Sequence, residues 1–318
     1  MWISPYKYVL SLGHLCSDIN QSILSAVLPF LIATYHYDYT TAAMLVTVSN
    51  VFGAFVQPFI GMLSDKKNKL LYMTLGVLLA SGGMAVTGFI SNFFGLCIVV
   101  IIRGIGVVMF HPQAAKLVNS VSSKNAKGKG MSIFSFGGKV GFTLGPVYTA
   151  FLMNLFGMKG TILFLIPGIV FGIVCSFFNK DFENLDVLEV EKKEKVKSEQ
   201  KDDWSGFIKL CCVVFSRSIL SNGISTFLAF YFIQQFSKSN SFASMLLSVF
   251  YGIGSITLLG GGIADCFGHR KMVRLSFCIF LPAIFIFANT SHFVIALIML
   301  IFMTCGESLS YSPMVVLG

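Results

Sequence analysis

Gly61-Met-Leu-Ser-Asp65-Lys-Lys returns 200 residues later as Gly261-Gly-Ile-Ala-Asp265, with Gly268-His-Arg-Lys271 close behind. Each copy closes one long apolar run and opens the next. A second landmark repeats the displacement: Phe110-His-Pro112 and Tyr311-Ser-Pro313 are offset by 201. Two independent landmarks at nearly one spacing mark a duplicated unit. Apolar runs of about 20 residues cross a bilayer, and only helices give such runs. The quoted stretch therefore reads as a polar loop between membrane helices, present once in each half of an all-α membrane protein.

The composition agrees. Of 318 residues, 55% are hydrophobic and only 12% charged, with a mean hydropathy of +0.79. A soluble domain carries about 25% charged residues. Half that density cannot cover a water-facing surface, which excludes a soluble enzyme, a nucleic-acid-binding domain and a disordered chain. Apolar runs against polar breaks predict ten helices, at about 7–34, 41–64, 70–90, 93–115, 129–156, 160–179, 205–236, 241–264, 272–289 and 292–317. Six lie before the charged segment 181–204 and four after it. The reading is a six-helix bundle over 1–180, a cytoplasmic linker over 181–204 and an incomplete second bundle over 205–318. If the halves match, about 60 further residues and two helices are expected, by the repeat logic.

Lys and Arg are distributed unevenly. Seventeen fall on the side of Lys7 and the long linker, two (Lys159, Lys238) on the other, and four (Arg103, Lys139, Lys209, Arg217) within spans. That bias places the N-terminus in the cytoplasm. The formal charge of +9 is thus a topology signal and not a nucleic-acid footprint. The eight cysteines lie in or beside apolar runs without metal-ligand spacing, and read as small packing residues. The first apolar stretch runs on as a full span, so no cleavable signal peptide is expected.

The repeated loop, with Gly61 and Asp65 in one copy and Asp265 and Arg270 in the other, resembles the signature loop of the major facilitator superfamily. In the first copy Lys67 and Asn68 stand where a Gly-Arg pair is usual. Arg103-Gly-Ile-Gly106 resembles that family's intramembrane Arg motif. Gly137-Gly-Lys-Val-Gly141 through Gly145-Pro146 resembles its Gly-Pro motif. Glycines four apart make a flat stripe for helix contact, and Pro146 loosens the helix. Packing alone is the plainer reading of these glycines. Within the superfamily, His14-Leu-Cys-Ser-Asp18-Ile-Asn20, Phe110-His111-Pro112-Gln113-Ala114 and the stretch Gly137 to Pro146 are similar to the bacterial fosmidomycin-resistance family. In that pattern Lys139 stands where an uncharged amide is expected. The resemblance implies a fold of two six-helix repeats, and export of small toxic molecules coupled to proton entry through the bacterial inner membrane. Uptake by a transporter of the same superfamily, or an inactive truncated remnant, are the alternatives.

Ionisable groups at bilayer depth are costly and usually functional. Asp18 lies about 16 Å along its helix from Lys7, and Arg103 about 15 Å from Phe93, at 1.5 Å per residue. His14, Asp18, Gln21 and Ser25 share one helix face. Ser135, Lys139 and Thr143 form a stripe, as do Arg217 and Ser221, and Glu307 lies in the last span. The expectation is a polar cavity between the halves. Asp18, His14 and Glu307 are its proton-coupling candidates. Gln21, Arg103, His111, Lys139 and Arg217 are its substrate-contacting candidates, with Arg103, Lys139 or Arg217 balancing Asp18 and His111 near the cytoplasmic end as gate or relay. The plainer alternatives are an Asp18–Arg103 ion pair, a backbone carbonyl as partner for His14, carbonyls freed by Pro112 as partners for His111, and Lys139 reaching an interface. No His-Glu-x-x-His, metal-spaced His/Asp group, Ser-His-Asp arrangement or P-loop is present. No enzymatic activity, metal or cofactor is expected. The expected partners are a small molecule, protons and lipid, with a monomer favoured and no nucleic acid.

Overall fold

The computed structural model describes residues 6–64, 69–120, 127–178, 204–256 and 267–309. The chain divides into two compact units, Met1–Ser198 and Glu199–Gly318. The linker expected at 181–204 lies outside the described residues, except for Trp204.

The first unit is built from α1 (Tyr6–Tyr35), α2 (Tyr39–Ser64), α3 (Lys69–Ala85), α4 (Phe93–Ser120), α5 (Lys127–Phe156) and α6 (166–178). The second holds α7 (Trp204–Phe236), α8 (Asn240–Ile256), α9 (His269–Asn289) and α10 (Phe293–Leu309). Seven helical stretches among the described residues are long and apolar enough to cross a bilayer, the longest, Gly130–Phe178, being α5 and α6 joined. Large apolar side chains such as Phe55, Phe94, Phe177 and Phe285 point outward. In water such a surface would aggregate; in hydrocarbon it is the natural outer face.

Two expected spans begin or end differently. The span expected at 70–90 is α-helical only to Ala85 and finishes as a 3₁₀ turn, Thr87–Phe89. The span expected from 160 starts as a 3₁₀ segment, Gly157–Leu165, entered through Gly157 at φ 56°. The two tight turns pack on each other. Thr161 Oγ1 donates to Ala85 O at 2.9 Å and accepts from Gly88 N at 3.1 Å. Tyr35 donates to Gly88 O at 2.9 Å. There is no room for another rotamer-bearing residue at 88, where an added Cβ would stand 2.0 Å from Met158 O.

The duplication is visible in the backbone of each unit. Helix starts recur at fixed offsets: Tyr39 and Asn240 differ by 201, Lys69 and His269 by 200, Phe93 and Phe293 by 200. The turn before the second helix of each unit carries a left-handed non-glycine residue, His36 (φ 57°) and Ser237 (φ 50°). Each is followed by a side-chain cap: Asp38 Oδ1 accepts from Thr41 N at 2.9 Å, and Ser239 Oγ from Phe242 N at 3.3 Å. The hydrogen bonds from Thr41 hold the Asp38 carboxyl below its usual range. A packing contact also recurs. A Cβ on Gly106 would lie 2.5 Å from Ala80 N, and one on Gly306 2.9 Å from Phe280 N.

Within the first unit α1 is central. Of its apolar window 72% is buried, against 22% for α2. Its main neighbour is α5, which meets it through small residues. Added Cβ atoms at Gly137, Gly141 and Gly145 would stand 2.2, 2.4 and 2.0 Å from Ser11 O, Leu15 O and Ser22 Oγ. Without hydrocarbon-excluding water to drive association, such close backbone approach is what holds membrane helices together. Leu10, Phe110, Phe134 and Phe171 fill one end of the interior. In the second unit an aromatic cluster of Tyr231, Phe232, Phe236, Phe287 and Phe293 joins α7 to α9 and α10. Tyr231 donates to the carbonyls of Phe287 and Thr290.

Candidate functional site

Among the described residues, α1 carries six buried polar side chains between Lys7 and Ser25 in an otherwise apolar helix. Asp18 is one of them, 3% exposed. The sequence of the first unit places no other Asp or Glu inside a span. Its carboxylate is met from both sides. Nε2 of His14, one turn earlier, lies 3.2 Å from Oδ2. Nε2 of His111, on α4, lies 2.9 Å from Oδ1. The remaining ring nitrogens face backbone oxygens: His14 Nδ1 to Phe134 O at 2.8 Å and His111 Nδ1 to Val107 O at 2.9 Å. The His14 ring stacks on Phe134 with centroids 4.0 Å apart.

α4 continues through Pro112 to Ser120, past the end expected near 115. His111, expected as gate or relay, meets Asp18 directly. Its Nδ1 reaches the Val107 carbonyl, not that of Val108, the one that Pro112 deprives of an N–H. Gly138 makes room for the cluster. A Cβ there would stand 2.5 Å from Asp18 Oδ2 and 2.6 Å from His14 Nε2. Gly138 belongs to the glycine motif but lies off the stripe of Gly137, Gly141 and Gly145.

Arg103 is buried beside this cluster on α4, at 3% exposure. Its Nε donates to Asn20 O at 3.2 Å, Nη2 to Gln21 O at 2.8 Å and Nη1 to Ser49 Oγ at 3.0 Å. Backbone dipoles of α1 and a hydroxyl of α2 thus receive its guanidinium, while a histidine pair meets Asp18. Gln21 contributes its carbonyl to that arrangement. Asn20, quoted in the motif without a role, donates to Cys16 O and to Ser81 Oγ, both at 2.8 Å. Nothing in linear spacing points to Ser49 or Ser81. They are found only when the helices are assembled.

Lys139 is half-buried on α5, and its carbonyl accepts from Thr143 Oγ1 at 2.8 Å. Gly141, Gly145 and Pro146 lie in α5, the glycines against α1. In the second unit Arg217 Nη2 donates to Glu307 Oε1, and Ser221 Oγ donates to the same oxygen at 3.2 Å. A guanidinium does not titrate in proteins, so this partner of Glu307 is a permanent cation, whereas Asp18 meets two imidazoles. Gly61 lies in the last turn of α2, with no described atom within 4 Å of an added Cβ. Arg270 is exposed at the start of α9. Asp65 and Asp265 lie outside the described residues.

The donor atoms of His14, Asp18 and His111 lie within 4.8 Å of one another. A tetrahedral zinc at about 2.0–2.2 Å from each donor would hold them roughly 3.3–3.5 Å apart. The observed contacts of 3.2 and 2.9 Å are shorter, as in hydrogen bonds between the groups themselves.

A family model described as Major Facilitator Superfamily matches residues 10–318. The chain belongs to the major facilitator superfamily. It is 23% identical over 276 residues to the fosmidomycin resistance protein of Escherichia coli (strain K12), covering 83% of this chain and 66% of that one. It is 24% identical over 278 residues to the uncharacterized MFS-type transporter YfnC of Bacillus subtilis (strain 168), covering 85% and 68%. The chain thus spans about two thirds of the length of these curated relatives. Among solved structures, a bacterial homolog of the human lysosomal transporter Spinster, inward-facing and occupied, superimposes with a TM-score of 0.77 at 16% identity. That match covers 98% of this chain and 73% of the other. The inward-open xylose transporter XylE from E. coli gives 0.75 at 15% identity, covering 98% and 81%. At such identities the structures show the fold alone, and that fold is the all-α major facilitator architecture expected from the repeat. The family and these neighbours are transporters, not enzymes.

Proposed function

We propose that this chain exports a small toxic molecule across the cell membrane by alternating access, driven by protons that enter through His14, Asp18 and His111. The observation that carries the reading is the setting of Asp18, the one carboxylate within the spans of the first unit, buried between two imidazoles. Ionisable groups in hydrocarbon are retained where they work. An imidazole is the side chain whose charge changes most readily near neutral pH. Carboxylate and rings together form a group that can hold protons in one accessible state and surrender them in the other. Arg103, fixed by α1 carbonyls, supplies a constant positive charge that keeps the emptied carboxylate tolerable inside the membrane. The exporter direction and the drug-like cargo follow the curated relatives named for resistance.

Everted membrane vesicles from cells making the protein test this. With an acid lumen they are expected to accumulate fosmidomycin, the probe named by the E. coli relative, and to lose it when a protonophore is added. Accumulation indifferent to the protonophore would remove proton coupling. Uptake confined to right-side-out vesicles would reverse the direction.

A further inference from the structure

We infer that the His14–Asp18–His111 cluster is a two-proton site, holding one proton in each of its two imidazole–carboxylate contacts. This rests on the proton-coupled reading above and adds its stoichiometry.

The number two follows from a count of hydrogens. His14 Nδ1 faces Phe134 O and His111 Nδ1 faces Val107 O, at 2.8 and 2.9 Å. A carbonyl oxygen only accepts, so both Nδ1 atoms carry hydrogen. In a neutral ring the other nitrogen is then a bare lone pair. Those bare nitrogens are the two that face Asp18, at 3.2 and 2.9 Å. An ionised carboxylate is also acceptor-only. With no added protons, lone pairs would oppose lone pairs at hydrogen-bonding distance in both contacts, inside a medium that does not screen them. One proton repairs one contact. Two repair both, either as two imidazolium rings against a carboxylate or as one imidazolium with a protonated Asp18 donating to the other ring. Both versions contain the same number of protons, and the arrangement described is the loaded one.

The neighbouring charges make the load releasable. On α4, Arg103 sits two turns before His111, and its guanidinium donates to α1 carbonyls two and three residues past Asp18. On α5, Lys139 follows the Gly138 that touches the cluster. On α1 itself, Lys7 is buried toward the helix start. The described residues of α2, α3 and α6 add only Tyr39, Lys69, Tyr72 and Cys175, the 3₁₀ segment before α6 adds Lys159, and none is acidic. Two protons give the cluster one net positive charge beside Arg103; without them it has one net negative charge, which Arg103 offsets.

On release, both protons pass to water from the contacts with Asp18, and the Nδ1–H bonds persist. The carboxylate is then repelled by both lone pairs. His14 lies on the same helix, one turn away, and cannot withdraw far. The contact that opens is the one to His111, which links α1 to α4. Proton load is thereby read as the presence or absence of an inter-helix bond.

The test is magnetic resonance on the full-length protein in lipid, with ¹⁵N-histidine and ¹³C-aspartate labels, from acid to alkaline pH. His14→Gln and His111→Gln assign the ring signals. The expected result is loss of two protons in all from the two Nε2 atoms and the Asp18 carboxyl, with both Nδ1–H signals retained throughout. Loss of a single proton would overturn the two-proton inference while leaving proton coupling intact. A cluster that loses none over the whole range would sink both.

Discussion

Asp18→Asn is expected to leave the protein folded in the membrane and to reduce proton-driven drug accumulation to that of vesicles lacking it. The amide is nearly the shape of the acid. Its NH2 can donate to one of the two Nε2 atoms that now lie 3.2 and 2.9 Å away, which leaves its oxygen facing the lone pair of the other. What it cannot do is bind or release a proton. It also removes the negative charge that makes an imidazolium tolerable at this depth, so the two rings stay neutral and the cluster stops cycling. The effect should be confined to coupling. Exchange of labelled for unlabelled fosmidomycin across the same membrane needs no proton movement, and is expected to persist in the variant. A variant that accumulates drug as the wild type does would clear Asp18 of any part in coupling. Loss of exchange together with accumulation would assign Asp18 to cargo binding instead.

The second large effect concerns glycines that look alike in sequence. Gly141→Ala places a methyl 2.4 Å from the Leu15 carbonyl oxygen, and a backbone atom cannot swing aside as a side chain would. α1 and α5 must separate along their most extensive contact. A cost of about 1–3 kcal/mol is expected, as for an overpacked core. Gly82→Ala has nothing within 4 Å of its new methyl among the described residues. There the gain in helix propensity dominates, and about 0.5–1 kcal/mol of added stability is expected. Thermal unfolding of the purified protein in detergent, followed by loss of the monodisperse species, compares the two. Opposite signs are expected for one chemical change. Equal shifts would mean that the α1–α5 contact is not a backbone contact.

What the sequence reveals and what it withholds divide along physical lines. Duplication, helix lengths and the depth of Asp18 depend on spacing along one chain, and spacing is what a sequence displays. The offset of 200 read from Asp65 and Asp265 returns in the starts of α3 and α9, although the two aspartates themselves fall outside the described residues. The partners of Asp18 were only half visible. His14 shares its helix face, four residues away. His111 is 93 residues distant on another helix, and only the packing of α4 on α1 brings the two together. Arg103 is buried in its unit, and opposite charge makes Asp18 its obvious partner in the sequence. Helix carbonyls, which every residue has and no sequence pattern marks, accept from its guanidinium. Gly138 and Gly141 stand three apart in the same motif. Only assembly shows that one clears space for a carboxylate while the other seats a backbone.

The central claim is that protons cross the membrane by way of Asp18 when cargo moves, and drug-evoked proton flux tests it most directly. A pH-sensitive dye is sealed in proteoliposomes with an acid lumen, and fosmidomycin is added outside. The wild type should alkalinise the lumen as drug enters, and Asp18→Asn should leave the dye signal flat. An alkalinisation of the same size in both would contradict the account.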